Sequence, residues 1–192
     1  MRMFPLALLM AALSACQAST DDPAASNDTK IVDERDSSEM QRLFEADQAA
    51  RQPAAGARID WTTVQDEDAA RRQRVRELLD EGQLRTGPDY YHAAFIFQHG
   101  SEPDDYLLAH VMATTAMALG HEPAKWIAAA TLDRFLQSVD RSQVFGTQYL
   151  GGAGWTMGSY DDDILTDAVR EIHSVPTLEE QKEKLESFAN GG

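Results

Sequence analysis

Two alanine-rich segments are joined by almost nothing. In "LLAHVMATTAMALGHEPAKWIAAATLDRFL" the run ending at Leu119 and the run opening at Glu122 are separated only by Gly120 and His121. A connection that short forces consecutive helices to lie antiparallel. The alanines at 109, 113, 116, 118, 124, 128, 129 and 130 keep the facing surfaces thin, so the two axes can approach closely. The pair resembles one tetratricopeptide-type hairpin, but no second copy follows at a fixed period, which argues against a solenoid. Any fold for this chain must be built around that hairpin.

The neighbouring helices follow from similar punctuation. "TGPD" at 86, "SEPD" at 101 and "HEPA" at 121 each set Pro two residues after a potential cap, and Gly100 and Gly120 stand where helices would stop. These signals predict helices over about 88–99, 103–119 and 122–139. An earlier helix starts near Ser38 and ends before Pro53, with Met40, Leu43 and Phe44 on its apolar face. Extending that stripe brings in Asp47 and Arg51. A second runs from about Asp66 to Glu81, carries arginines at 71, 72, 74 and 76, and stops at Gly82. Beyond Asp140, "QVFGTQYL", Gly151-Gly152 and "GWTMGSY" read as a β-hairpin. "ILTDAVREIH" and "TLEEQKEKLESF" complete the chain, the latter opened by a Thr177/Glu180 capping-box pattern. The expected fold is mainly α: a compact bundle of about six or seven helices with one small β-hairpin near residues 143–158.

The opening residues point to a location. "MRMFPLALLMAALSAC" has one arginine, then an apolar run from Phe4 to Leu13 that is too short to span a bilayer. Leu13-Ser14-Ala15-Cys16 fits a bacterial lipobox, and Cys16 is the chain's one cysteine. This assigns residues 1–15 to a lipoprotein signal peptide and Cys16 to lipid attachment. Gln17, in place of Asp after the cysteine, favours the outer membrane facing the periplasm over the inner membrane or the cell surface. Residues 16–37 are polar and acidic, the composition of a disordered tether reaching roughly 25 Å. Residues 38–190 are then a single helical domain. The formal net charge of −15 repels phosphate backbones and argues against nucleic acid as a partner. The expected partners are the bilayer, through acylated Cys16, and a periplasmic protein or small ligand.

Several polar side chains fall where chemistry is possible. In "DYYHAAFIFQHG", His92 and His99 share a helix face, with Gln98 on the neighbouring one. Two imidazoles on an apolar face are core histidines, acid–base groups or metal ligands. Their seven-residue spacing sets them roughly 10 Å apart along the axis, and with no His-Glu-x-x-His and no cysteine ligand no metal is expected. Asp47 and Arg51, four apart on the stripe, are placed to pair. In "ATLDRFLQ", Asp133 and Arg134 precede the loop, and Arg134 is expected to position the 143–148 segment by donating to its carbonyls, with anion recognition as the alternative. Gly146-Thr147-Gln148 is either a strand turn or the lining of a polar cleft. Thr147 has no adjacent general base and is not a nucleophile. His110 reads as a satisfied core histidine, and His121, in the hairpin turn, as a cap or an exposed residue. No phosphate loop, nucleophile elbow or dinucleotide fingerprint occurs, and no cofactor is expected.

With "DQAAR" at 47–51, "YYHAAFIFQHG" at 90–100, "LDRFLQSVDRSQVFGTQY" at 132–149 and the Leu-Glu-Glu near the end, the chain resembles an uncharacterised bacterial domain-of-unknown-function family marked by an aromatic-Gly-Thr-Gln motif. The resemblance spans roughly residues 38–185. It names relatives without a reaction, and it implies that Asp47, Arg51, Gln98, His99, Asp133, Arg134 and Gln148 belong to one pattern. Two functional readings stand open: a binding or scaffolding module whose polar cleft holds a peptide, protein or envelope fragment, and a hydrolase or lyase with His99 as acid or base and Arg134 and Gln148 orienting substrate.

Overall fold

The computed structural model describes residues 34–152 and 154–189, with side chains from Glu39 onward. The signal-peptide segment, Cys16 and nearly all of the expected tether lie outside the described residues. Among those described there are seven helices in a bundle: α1 (Glu34–Ala49), α2 (Trp61–Asp80), α3 (Gly87–Phe97), α4 (Pro103–Ala118), α5 (Ala124–Ser138), α6 (Asp167–Ile172) and α7 (Leu178–Ala189). None of them is long and apolar enough to cross a membrane. Helix α1 begins at Glu34, four residues inside the range assigned to the tether.

Four helices stop in one way. The backbone turns left-handed after the last turn, and two N–H groups bond back to carbonyls the helix leaves free. At the α4–α5 connection Gly120 has φ 82°, with Gly120 N donating to Met117 O at 2.9 Å and His121 N to Ala116 O at 3.0 Å. Gly82 closes α2 with the same pair of bonds. After α5 and α6, Asp140 and Ser174 take the left-handed position, each at φ 57°, although neither is glycine. Helix starts are equally explicit. Thr86 and Asp89 form a reciprocal capping box on α3, and Thr177 and Glu180 form another at α7. Helix α2 opens at Trp61, five residues before the sequence reading, because Asp60 caps it by accepting from Thr62 N and Thr63 N. At α4 the carboxylate of Asp105 accepts from Ser101 N and Glu102 N, the cap that Ser101 was expected to supply.

The principal core lies between α3, α4 and α5, with α1 and α2 laid across α3. Ala109, Ala113, Ala116 and Ala124 are fully buried there beside Ile96, Phe97 and Ile127, so the thin helix faces do bring the hairpin close. His110 Nδ1 bonds Ala128 O at 2.9 Å, a satisfied core histidine. Helix α5 also faces a second, smaller core, where Ala129 meets Phe145 and Val175.

The expected hairpin is corrected. No strand forms among the described residues. The segment carries two isolated bridges, Gln143 with Tyr160 and Leu150 with Thr156. The cause is competition for backbone donors. Asp133, fully buried on α5, accepts from Val144 N (2.8 Å), Phe145 N (3.0 Å), Thr147 N (2.9 Å) and Thr147 Oγ1 (2.7 Å). Gln143, also fully buried, accepts from Gln148 N and donates to Gln148 O and Met157 O. Side chains hold what a ladder would otherwise hold. Gly146 is required at the apex, where φ is 80° and an added Cβ would collide with the Gln181 side chain and come within 2.7 Å of Tyr160 Oη. Gly146→Ala therefore combines left-handed strain with a collision against bonded groups. We expect a loss of about 2–4 kcal/mol in equilibrium urea unfolding; a loss below 1 kcal/mol would contradict this account of the apex.

Candidate functional site

The candidate residues gather in two places and leave one outlier. The first gathering joins α1, α2 and the end of α3. The apolar stripe of α1 ends in fully buried Asp47, and that of α2 runs Val64, Asp68, Arg71, Val75, Leu78, all buried. Arg51 bridges Asp47 (3.1 Å) and Asp68 (2.6 Å), and Arg71 donates to Asp68 at 2.6 Å. His99 Nδ1 donates to Asp47 Oδ1 at 2.9 Å, which fixes its tautomer. Burial acts most strongly on Asp68 and would raise its pKa, but the hydrogen bonds from Arg51 and Arg71 together outweigh it, and the carboxyl titrates below the ordinary value. Asp68 is absent from the sequence-based set. Its signal was there, since positions 64, 68, 71, 75 and 78 keep helical spacing and place an Asp-Arg pair inside an apolar stripe.

Carboxylate and imidazole atoms of Asp47, Asp68 and His99 lie within 4.8 Å of one another, a spacing that suits a metal ion. The donor set argues otherwise. Both carboxylates are already engaged by guanidinium groups, and a dication between them would face Arg51 and Arg71 at close range. The cluster is a charge-balanced clamp. One edge remains open: His99 lines a cavity of about 310 Å³ with Gln65, Arg72, Gly100 and Ser101, and Arg72 donates to His99 O at 2.8 Å.

The second gathering is the loop after α5, where Asp133 and Thr147 act as architecture. Thr147 Oγ1 donates to Asp133 and accepts from Gln148 Nε2. Gln148 Nε2 also donates to Ala130 O at 3.3 Å. The role assigned to Arg134 is corrected: it does not bond the 143–148 carbonyls, because Asp133 has already organised that loop through its N–H groups. Arg134 has no hydrogen bond or ion pair among the described residues, and its Nε is sealed from solvent. Burial depresses its pKa, the field of Tyr106 acts the other way, and the Arg51 cation adds to the depression. Arg134 lines a cavity of about 310 Å³ with Tyr106, Gln137, Ser138, Gln148 and Leu150. His99 thus opens onto one cavity, and Arg134 and Gln148 onto another. Gln98 is buried at the C-cap of α3 and makes no side-chain hydrogen bond among the described residues.

His92 is the outlier. It stacks on Phe44 of α1, ring centroids 4.4 Å apart, while Tyr91 packs on His121 at 4.9 Å. His92 Nδ1 and His121 Nε2 are buried without partners, so His121 is neither a cap nor exposed. Burial lowers the pKa of His92; Asp89 and Glu45 oppose the shift and His121 reinforces it. No protein-family model, curated protein or solved structure matches the chain.

Two expectations follow. Asp68→Asn removes the carboxylate that Arg51 and Arg71 share, leaving Arg51 to Asp47 and Arg71 to half-exposed Glu67, and should cost about 3 kcal/mol in urea unfolding at pH 7; a near-neutral change would show the clamp to be dispensable. His92 is neutral when folded and has a lowered pKa, so the unfolded chain binds the extra proton first. The stability this contributes is complete above its ordinary value of 6.5 and is lost as pH falls toward the folded value. The difference in Tm between wild type and His92→Phe should shift in favour of the variant between pH 7 and pH 5. Parallel Tm-versus-pH curves would show that His92 does not control this acid response.

Proposed function

We propose that the protein is a membrane-anchored periplasmic lipoprotein whose helical domain is a binding module, with a peptide, protein or envelope fragment received in the cleft beside Gly146-Thr147-Gln148. The anchoring half of this reading rests on the lipobox ending at Cys16, and Gln17 favours the outer membrane. The binding half rests on one observation. Arg134 is a largely buried guanidinium with no acceptor among the described residues, in a preformed cleft whose wall is fixed by Asp133. The Arg134 Nε is sealed without a partner, which costs stability, while the rest of the guanidinium opens onto the cavity. A cation kept under those terms serves something that arrives from outside.

A second reading, hydrolase or lyase chemistry, has its own supporting observation. Asp47 orients the His99 ring, and His99 borders a cavity with Arg72, the arrangement of a base held by a carboxylate. It is weakened by the separation of His99 from the cavity that holds Arg134 and Gln148.

Arg134→Leu distinguishes a ligand-directed cation from a structural one. We expect Tm to stay level or rise by about 2–4 °C, while the variant fails to complement a strain lacking the protein. A fall in Tm together with lost complementation would assign Arg134 to the architecture and sink the binding reading. Incorporation of labelled palmitate, abolished by Cys16→Ser, is the expected result for the anchor; equal labelling of both proteins would remove it.

A further inference from the structure

The cleft at Arg134 does not stand alone. A second cavity, of about 460 Å³, is lined by Gln137, Asp140, Arg141, Leu150, Gly158 and Ser159. It shares Gln137 and Leu150 with the first, so the two cavities adjoin at the end of α5. Most polar groups lining the Arg134 end are already committed. Tyr106 Oη donates to Gly100 O, Ser138 Oγ to Phe135 O, and Gln148 Nε2 to Ala130 O and Thr147 Oγ1. The Arg134 guanidinium, the Gln137 amide and the Arg141 guanidinium make no side-chain hydrogen bond among the described residues. Arg134 and Gln137 stand three apart on the last turns of α5, and Arg141 follows the left-handed turn at Asp140. Leu150, 47% exposed, adds the apolar surface.

We propose that the Arg134 cavity binds an extended peptide by its free C-terminal carboxylate, seated on Arg134, with the chain leaving past Gln137 and Leu150. The inference rests on the binding-module reading and supplies its ligand class. A planar guanidinium matches a carboxylate in two parallel bonds. A monoanion suits the Arg134 guanidinium on a chain of net charge −15 better than a phosphate dianion, which that field would repel more strongly. An amide that can both donate and accept, one step along, suits a peptide main chain. The exposed leucine suits a small apolar side chain. Arg141 is exposed to solvent and Arg134 is the more buried of the two cations, so the carboxylate is assigned to Arg134.

The test uses the purified full-length protein and a pool of randomised N-acetyl tetrapeptides, offered as free acids and again as C-terminal amides. The acid pool should raise Tm by about 2–4 °C, and the amide pool should not. Arg134→Gln should abolish the shift, Gln137→Ala should reduce it, and 0.5 M NaCl should reduce it. Equal shifts with acids and amides would overturn the carboxylate assignment. So would a shift confined to those amidated peptides that carry Asp or Glu, which would place a side chain on Arg134, or a larger shift with inorganic phosphate than with the acid pool. No shift with either pool would overturn the peptide inference. The binding-module reading would then still be judged by Arg134→Leu, whose complementation and Tm readouts need no peptide.

Discussion

The carboxylate of Asp133 organises more of this molecule than any other single group. It projects from the middle of α5 with no exposed surface and gathers three backbone N–H groups and a hydroxyl from the loop that follows. Those bonds direct Phe145 into the second core, where Ala129 and Val175 receive it. They also bring Gly146 against Gln181, which donates to Phe145 O and Pro176 O and accepts from Tyr160 Oη. Arg170, with no exposed surface, fastens the rest by donating to Leu165 O, Asp162 O and Tyr160 Oη. The irregular half of the chain is thus built from buried polar side chains that bond to backbone. It needs neither a sheet nor a large apolar core.

The regular half depends on a different balance. Asp47, Asp68, Arg51 and Arg71 sit where α1, α2 and α3 meet, and each charge has an opposite neighbour. Removing a whole buried ion pair is often tolerated, whereas removing one member is not. Sliding α1 along α2 would separate Asp47 and Arg51 from Asp68 and Arg71 and strand a charge, so the clamp opposes it. His99 closes the set from α3.

Helix number, the α4–α5 hairpin and the capping residues were legible in the sequence because each rests on local chemistry: Pro and Gly positions, Thr and Asp caps, and alanine spacing. The pairing of Asp47 with Arg51 was legible for the same reason. The loop after α5 was not. "QVFGTQYL" has strand-forming composition, and nothing local announces that a carboxylate ten residues earlier will take its N–H groups. The same contact explains why Arg134 was given the wrong task. Adjacent in sequence, Asp133 and Arg134 point to different surroundings, and one of them meets the loop. Asp68 is not legible from a helix that begins at Asp66, because the apolar stripe that carries it opens at Val64.

The end of α5 keeps a polar side chain at the expense of an easy backbone. A glycine at position 140 would relax a backbone that Asp140 holds at φ 57°, by about 1 kcal/mol. Thermostabilisation programmes readily select such replacements. Here the exchange would strip the one acidic side chain that, among the described residues, lines the cavity beside Arg141. A hardier protein obtained that way would carry a cavity of altered charge, so heat tolerance and the charge of that cavity cannot be set independently at this position.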